Sequence, residues 1–294
     1  MTEQSIEIRG LGKYFGHFTL GPLDLNVPKG AIYGLIGPNG AGKTTTIDLI
    51  MNMGREDAGT IHVFGMDHRN KEEQVKSRIG YVSPDLSFDA WGKVNRLVYF
   101  VRKFYPDWDD DYCRSLMEKL GLAWEDKIKT MSFGTRVKLN LVIALSHRPD
   151  LLLLDEPTMG VDAVAKKDIF TELLSAVQEE DRSVVITSHI LSDIERFCDN
   201  FGIIHQGKIL MEGPTAELVE RHRMVDFIYP NGDTPSWEKG IYVQERQNDR
   251  WRALVDMQSE GMNWLKDKGA SEISVSPVTL EELFIALVRE KNHG

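Results

Sequence analysis

The sequence predicts an α/β protein that opens with an antiparallel β subdomain, carries a helical insertion in its middle and ends in a small α+β domain. Three observations carry this. Short apolar runs of strand type alternate with helical stretches over residues 1–220, the pattern of a mostly parallel sheet covered on both faces. Between about residues 86 and 148 the strand signals stop and helical periodicity takes over. Near residue 220 the pattern changes again.

The elements follow in order. Residues 5–9 and 18–27 alternate apolar and polar positions (Ile6, Ile8; Leu20, Leu23, Leu25, Val27), with turn signals at Gly10 to Gly12 and at Pro28-Lys29-Gly30. An apolar run at 31–36, a glycine-rich loop and a helical stretch at 44–53 make the first half of a βαβ unit. Residues 60–64 and 79–82 are further strand candidates. The insertion contributes helices at 94–104, 110–120 and 137–147. Strands return at 151–154, 184–187 and 202–205, with helices at 163–180 and 192–197. Beyond residue 220, strands are expected at 226–229, 241–247, 251–256 and 272–276, with helices at 258–268 and 280–288. The run from Pro230 to Pro235 reads as a strong breaker. The expected domains are therefore 1–220 and 221–294.

Composition narrows the class. Hydrophobic residues make up 41% and charged residues 27% of the 294, enough apolar material for a real core. A net charge of −10 argues against a sequence-independent grip on nucleic acid or anionic lipid. The two cysteines, Cys113 and Cys198, lack metal-type spacing, and a reducing compartment suits them better than a disulfide. The start, MTEQSIEIRG, lacks the features of a signal peptide, and no apolar run approaches the length of a membrane span.

The chemistry concentrates in two motifs. Gly37-Pro38-Asn39-Gly40-Ala41-Gly42-Lys43-Thr44, followed by Thr45, satisfies the phosphate-loop pattern between a predicted strand and a predicted helix. Its glycines let backbone N–H groups turn inward around phosphates, and the helix offers its positive end to the same anion. Lys43 supplies a point charge for the β- and γ-phosphates, and the Thr44 hydroxyl is an Mg2+ ligand candidate. Four leucines then lead into Asp155-Glu156, an apolar strand delivering two acids at the edge where ligands of open α/β sheets bind. Asp155 suits Mg2+ held through water, and Glu156 suits the polarisation of an attacking water as general base. Alone, an Asp-Glu pair after leucines is more often a solvated strand end; beside the phosphate loop it completes one site, and the fold expected is a P-loop NTPase core.

With those motifs in order, residues 5 to about 220 resemble the nucleotide-binding domain of the ABC transporter superfamily. Met131-Ser132-Phe133-Gly134-Thr135 resembles its signature motif, opening a helix about twenty residues before Asp155, although Phe133 and Thr135 depart from the usual glycine and glutamine; the alternative is that Ser132 only N-caps a core helix. The resemblance implies that Ser132 and Gly134 reach the γ-phosphate of a partner's ATP, so that two chains, identical or closely related, sandwich the nucleotide. Thr187-Ser188-His189 resembles the switch motif, which gives His189 a place beside the γ-phosphate and the general base. Met159-Gly160-Val161-Asp162 resembles the D-loop and puts Asp162 at the dimer interface. Phe15 matches the aromatic that stacks on adenine, with Tyr14 as the alternative. One departure stands out. The loop that in the family carries a Mg2+-touching glutamine here reads Ser83-Pro84-Asp85, leaving Asp85 as a substitute ligand or as a turn cap.

The resemblance implies an ATPase working with a separate transmembrane permease subunit at the inner face of the membrane. Loose likeness to drug- and antibiotic-export ATPases in the insertion and in the final helix points to an exporter. Two other classes compete. Chromosome and repair relatives place coiled coils or zinc modules between the nucleotide motifs, and ribosome-acting relatives usually carry two such domains; this chain shows neither feature. A regulator that no longer hydrolyses ATP would not need Glu156 and His189.

Overall fold

The computed structural model describes residues 3–180, 182–229 and 237–293. The breaker Pro230 to Pro235 lies outside them. The chain divides into two compact units, Met1–Ile209 and Leu210–Gly294; the boundary expected between residues 220 and 221 lies further along.

The first unit begins with β1 (Gln4–Tyr14), β2 (Thr19–Pro28) and β3 (Ile32–Ile36). Next come α1 (Lys43–Ile50), β4 (Ala58–Val63), β5 (Met66–Asp67), α2 (Glu72–Lys76) and β6 (Ile79–Val82). The insertion holds α3 (Val94–Val101), α4 (Asp110–Lys119) and α5 (Phe133–Leu145). After it run β7 (Leu151–Leu154), α6 (Ala163–Glu180), β8 (Ser183–Ser188), α7 (Leu191–Ile194), β9 (Asn200–His205) and β10 (Lys208–Pro214), whose residues span the division between the units.

The antiparallel sheet has the order β2-β1-β4-β5. Ile6 pairs with both Val27 and Val63, and Ile8 with both Leu25 and Ile61, so the apolar alternation of three strands meets on one buried face. The glycines after residue 9 do not end the strand as expected. β1 continues through them to Tyr14, with register shifts against both neighbours. Gly10 takes a φ of +55°, and its N–H donates to Asp24 Oδ1 at 2.7 Å. The glycines thus bulge the strand instead of turning it.

The second sheet has the order β10-β9-β3-β8-β7-β6, and β9, β3, β8, β7 and β6 run parallel. Every residue of β3, β7 and β8 is buried, which accounts for the unbroken apolar runs. Ile36 of β3 pairs with Ser188 of β8, and Ile186 of β8 pairs with Leu154 of β7. The carboxyl ends of three strands therefore arrive side by side, and the loops leaving them carry the predicted chemistry.

Two helices of the insertion differ from expectation. α3 ends at Val101, with a single 3-10 turn over Arg102–Phe104; Tyr105, held extended ahead of Pro106, closes off the helix. α5 starts at Phe133, ahead of the periodicity at 137 but at the signature motif expected to open a helix; the Ser132 hydroxyl caps it by accepting from the Thr135 N–H at 3.2 Å. β10 has no counterpart among the expected strands, since its residues are only partly buried and carry no alternation.

The second unit continues with α8 (Thr215–Arg221), β11 (His222–Ile228), β12 (Ile241–Gln247), β13 (Arg250–Asp256), α9 (Gly261–Asp267), β14 (Ser271–Pro277) and α10 (Leu280–His293). Its antiparallel sheet has the order β12-β13-β11-β14. Val225 and Phe227 of β11, with Trp251, Ala253 and Val255 of β13, pack with Leu265 of α9, the period-two pattern expected of a sheet covered by a helix.

Leu153, fully buried in β7, tests the core. Leu153→Ala should destabilise the protein by about 2–5 kcal/mol in urea denaturation followed by circular dichroism. Tyr99→Ala, on the exposed face of α3, should change stability by less than about 0.5 kcal/mol.

Candidate functional site

The loop from β3 to α1 is shaped by glycines at two points where any side chain would collide. A Cβ on Gly37 would lie 2.2 Å from the Ile204 carbonyl oxygen. Gly42, the N-cap of α1, has φ +111°, and a Cβ there would come 2.7 Å from Leu20. Backbone bonds close the loop: Ala41 N–H donates to Pro38 O at 3.1 Å and Gly207 N–H to Ala41 O at 2.9 Å. The fold thus presents the start of α1 toward an open cleft, ready for an anion.

Lys43 is buried at 5% exposure. Its Nζ donates to Gly37 O at 2.8 Å and Pro38 O at 3.3 Å, and lies 3.1 Å from Glu156 Oε1. Thr44 Oγ1 donates to Asp155 Oδ2 at 2.8 Å, joining the phosphate loop to the acidic strand end. The other oxygen, Asp155 Oδ1, accepts from Thr187 Oγ1 at 2.6 Å. Glu156 Oε2 lies 2.8 Å from His189 Nδ1. Glu156 itself sits in the left-handed region at φ +44°, uncommon for a residue with a side chain and frequent at functional sites. Residues distant in sequence thus converge on two adjacent carboxylates.

The cleft beside them holds about 760 Å³ and is lined by Asn39, Gly40, Gly42, Lys43, Thr44, Thr45, Asp155 and Glu156, with Pro84 and Asp85 on its wall. Phe15 also lines it, stacked on Phe18 with ring centroids 6.3 Å apart. Tyr14, the alternative aromatic, points its hydroxyl to the Gly16 carbonyl and is 65% exposed. Asp85 donates its N–H to the Ser83 hydroxyl at 3.3 Å.

Ser132, Gly134 and Asp162 are not among the residues lining this cleft. They form a second locality, in which a Cβ on Gly134 would sit 3.8 Å from Asp162 Oδ2 and 3.5 Å from Val161. Asp162 caps the start of α6, accepting from the Val164 and Ala165 N–H groups at 3.0 Å each. The Ala165 bond foremost holds its carboxyl below the usual range.

Sequence reasoning missed several participants. His17 and Phe18 line the cleft. Asp48, one turn beyond Thr44 on α1, faces the same acids: burial raises its carboxyl above the ordinary range, and the Asp155 and Asp85 charges add to the rise. The i, i+4 spacing from Thr44 was the available signal. Thr187 belongs to the segment resembling the switch motif, yet it touches both members of the acidic pair.

A glycine cradle at a helix start, with a buried lysine and two carboxylates at the end of another strand of the same sheet, defines a phosphate-loop nucleotide-binding protein. The profile described as ABC transporter matches residues 20–159. The chain is 33% identical, over 96% of its own length and 97% of the relative's, to the ABC transporter ATP-binding protein YtrB of Bacillus subtilis (strain 168). It is 34% identical to the daunorubicin/doxorubicin resistance ATP-binding protein DrrA of Streptomyces peucetius, over 97% of this chain and 92% of that one. A solved ATP-binding subunit of an ABC transporter shares the fold with a TM-score of 0.67 at 23% identity, covering 73% of this chain and 92% of that structure. The chain belongs to the ABC transporter family and is an ATPase.

Lys43→Ala should weaken ATP binding at least about thirtyfold, about 2 kcal/mol, because it removes a charged donor facing the phosphates. Titration of a fluorescent ATP analogue checks this; near-normal affinity would contradict the placement of phosphates at this loop.

Proposed function

We propose that this chain binds Mg-ATP in the cleft at the start of α1 and hydrolyses it to drive export through a separate membrane-spanning permease. The observation that carries this reading is the continuous array Thr44–Asp155–Glu156–His189, in which one carboxylate is tied to the phosphate loop and the next to a histidine. Among the described residues no helix is long and apolar enough to cross a membrane, which supports a peripheral place at the inner face, held by the permease. The relative named for daunorubicin/doxorubicin resistance supports export. The acidic charge supports no role for nucleic acid.

In this reading Gly40 and Gly42 let the loop backbone close around the phosphates, and Lys43 neutralises the β- and γ-phosphates. Phosphate oxygens compete for Lys43 with Glu156 Oε1 and with two loop carbonyls. The donor set suits Mg2+: the Thr44 hydroxyl and Asp155 are hard oxygens 2.8 Å apart, and this ion takes one or two protein ligands beside substrate phosphates. When bound, Mg2+ offsets charge on the transferred phosphoryl group. Asp85, on the cleft wall, is proposed as a further ligand in place of the missing glutamine. Glu156 takes a proton from the attacking water, while His189 holds the carboxylate from its other oxygen and contacts the γ-phosphate. Phe15 stacks on the base.

Ser132, Gly134 and Asp162 lie outside the cleft lining. Their proposed work is on the nucleotide of a second copy or a close relative, in a two-fold, head-to-tail pair.

Glu156→Gln keeps the binding groups and removes the base, so with ATP it should accumulate a dimer in light scattering. Retained ATP binding by a strict monomer would contradict the self-paired arrangement. Asp85→Ala should lower turnover at least about tenfold with ATP binding retained; unchanged turnover, alone and with the co-purifying permease, would remove Asp85 from the site.

A further inference from the structure

The Thr187 hydroxyl touches both members of the acidic pair. Thr187 sits near the end of β8, paired with Leu35 of β3, and is fully buried. β7 stops at Leu154, while β8 extends past it to Ser188. Thr187 therefore lies beside the two residues that leave β7. Its hydroxyl donates to Asp155 Oδ1 at 2.6 Å and accepts from the Glu156 N–H at 2.9 Å.

Both bonds have consequences. Asp155 has one oxygen on Thr44 and the other on Thr187, so the plane of its carboxylate is fixed by two hydroxyls. The Asp155 N–H is held independently, on Val82 O at 2.8 Å. Glu156 occupies the left-handed region at φ +44°, a conformation that costs free energy and persists only where neighbours enforce it. The Thr187 hydroxyl holds the peptide N–H of that residue. Two positions later in the same chain segment, His189 holds its carboxylate. A buried hydroxyl has one proton to give and lone pairs to receive with, and here the single donation goes to the first acid and an acceptance comes from the second.

We propose that Thr187 is a positioning residue for ATP hydrolysis: it fixes the orientation of the Asp155 carboxylate and locks the backbone that aims Glu156. The inference rests on the reading of Glu156 as general base. Misplacing a catalytic group by about 1 Å costs about a hundredfold in rate, whereas the phosphate contacts of Lys43 and the loop backbone do not pass through Thr187. Loss of the hydroxyl should therefore appear in turnover and leave nucleotide affinity nearly unchanged.

The test uses the full chain and four variants: Thr187→Val, which keeps the shape and removes the hydroxyl; Thr187→Ala, which removes both; Thr187→Ser, which restores the hydroxyl; and Glu156→Gln. ATP affinity is measured by fluorescence titration and hydrolysis by phosphate release. The expected result is a fall in kcat of about 10- to 100-fold for the valine and alanine variants, with ATP affinity and KM within about threefold of wild type, and recovery of most of the turnover in the serine variant. Wild-type kcat in Thr187→Val or Thr187→Ala, with Glu156→Gln inactive, would overturn the role of Thr187 and leave the base assignment standing. A serine variant as slow as the valine variant would also overturn it, because packing alone would then explain the loss. Full turnover in Glu156→Gln would instead overturn the reading of Glu156.

Discussion

The parallel register of β3, β8 and β7 is the constraint on which the site depends. Pairing of Ile36 with Ser188 and of Ile186 with Leu154 sets three strand ends at one edge of the sheet. From those ends leave the phosphate loop, the switch histidine and the acidic pair. No one of these segments is long enough to build a nucleotide site alone. Held by a buried sheet whose backbone groups are already paired, each needs to place only one or two side chains. The resulting contacts, Thr44 to Asp155, Lys43 to Glu156 and His189 to Glu156, all lie between 2.8 and 3.1 Å. Two of them reach from the β3 end across β8 to the β7 end and the third from β8 to β7, so a slip of β7 would break all three together.

Burial gives these contacts their strength. Lys43 and Asp155 are nearly inaccessible, at 5% and 3% exposure. A charge in such surroundings must be paired or hydrogen-bonded, and the loop carbonyls, the threonine hydroxyls and the opposite charge of Glu156 meet that demand. The same surroundings make the cleft responsive to an incoming polyanion, because an added phosphate competes directly for a lysine already held by Glu156 and two loop carbonyls. Asp48 shows the other side of the balance: placed near Asp155 and Asp85 and partly buried, it is pushed toward its neutral form.

Much of this was legible in the sequence because the elements that matter are local. The phosphate loop is a contiguous pattern whose glycines answer to steric contacts now visible at Gly37 and Gly42. The acidic pair follows an uninterrupted apolar strand, and α6 spans the residues its periodicity indicated. What escaped is non-local or ambiguous in one dimension. A threonine in a buried strand reads as a strand former, and only the neighbouring strand end reveals that Thr187 bridges two acids. Gly10 and Gly12 carry the chemistry of a turn, yet two flanking strands kept β1 paired and turned them into a bulge. The signature segment is expected to open a helix, and the cap at Ser132 sets the start of α5 there, ahead of the apolar periodicity that begins at Val137.

Thr44 and Asp155 are proposed to hold the metal of a bound nucleotide together, Asp155 through water. Electron paramagnetic resonance of the chain with Mn2+ substituted for Mg2+ and ATP added tests it most directly. The account predicts one Mn2+ per bound ATP with phosphorus hyperfine coupling, and loss of that bound signal in Asp155→Asn while metal-free ATP affinity persists. An unchanged Mn2+–ATP signal in Asp155→Asn would contradict it.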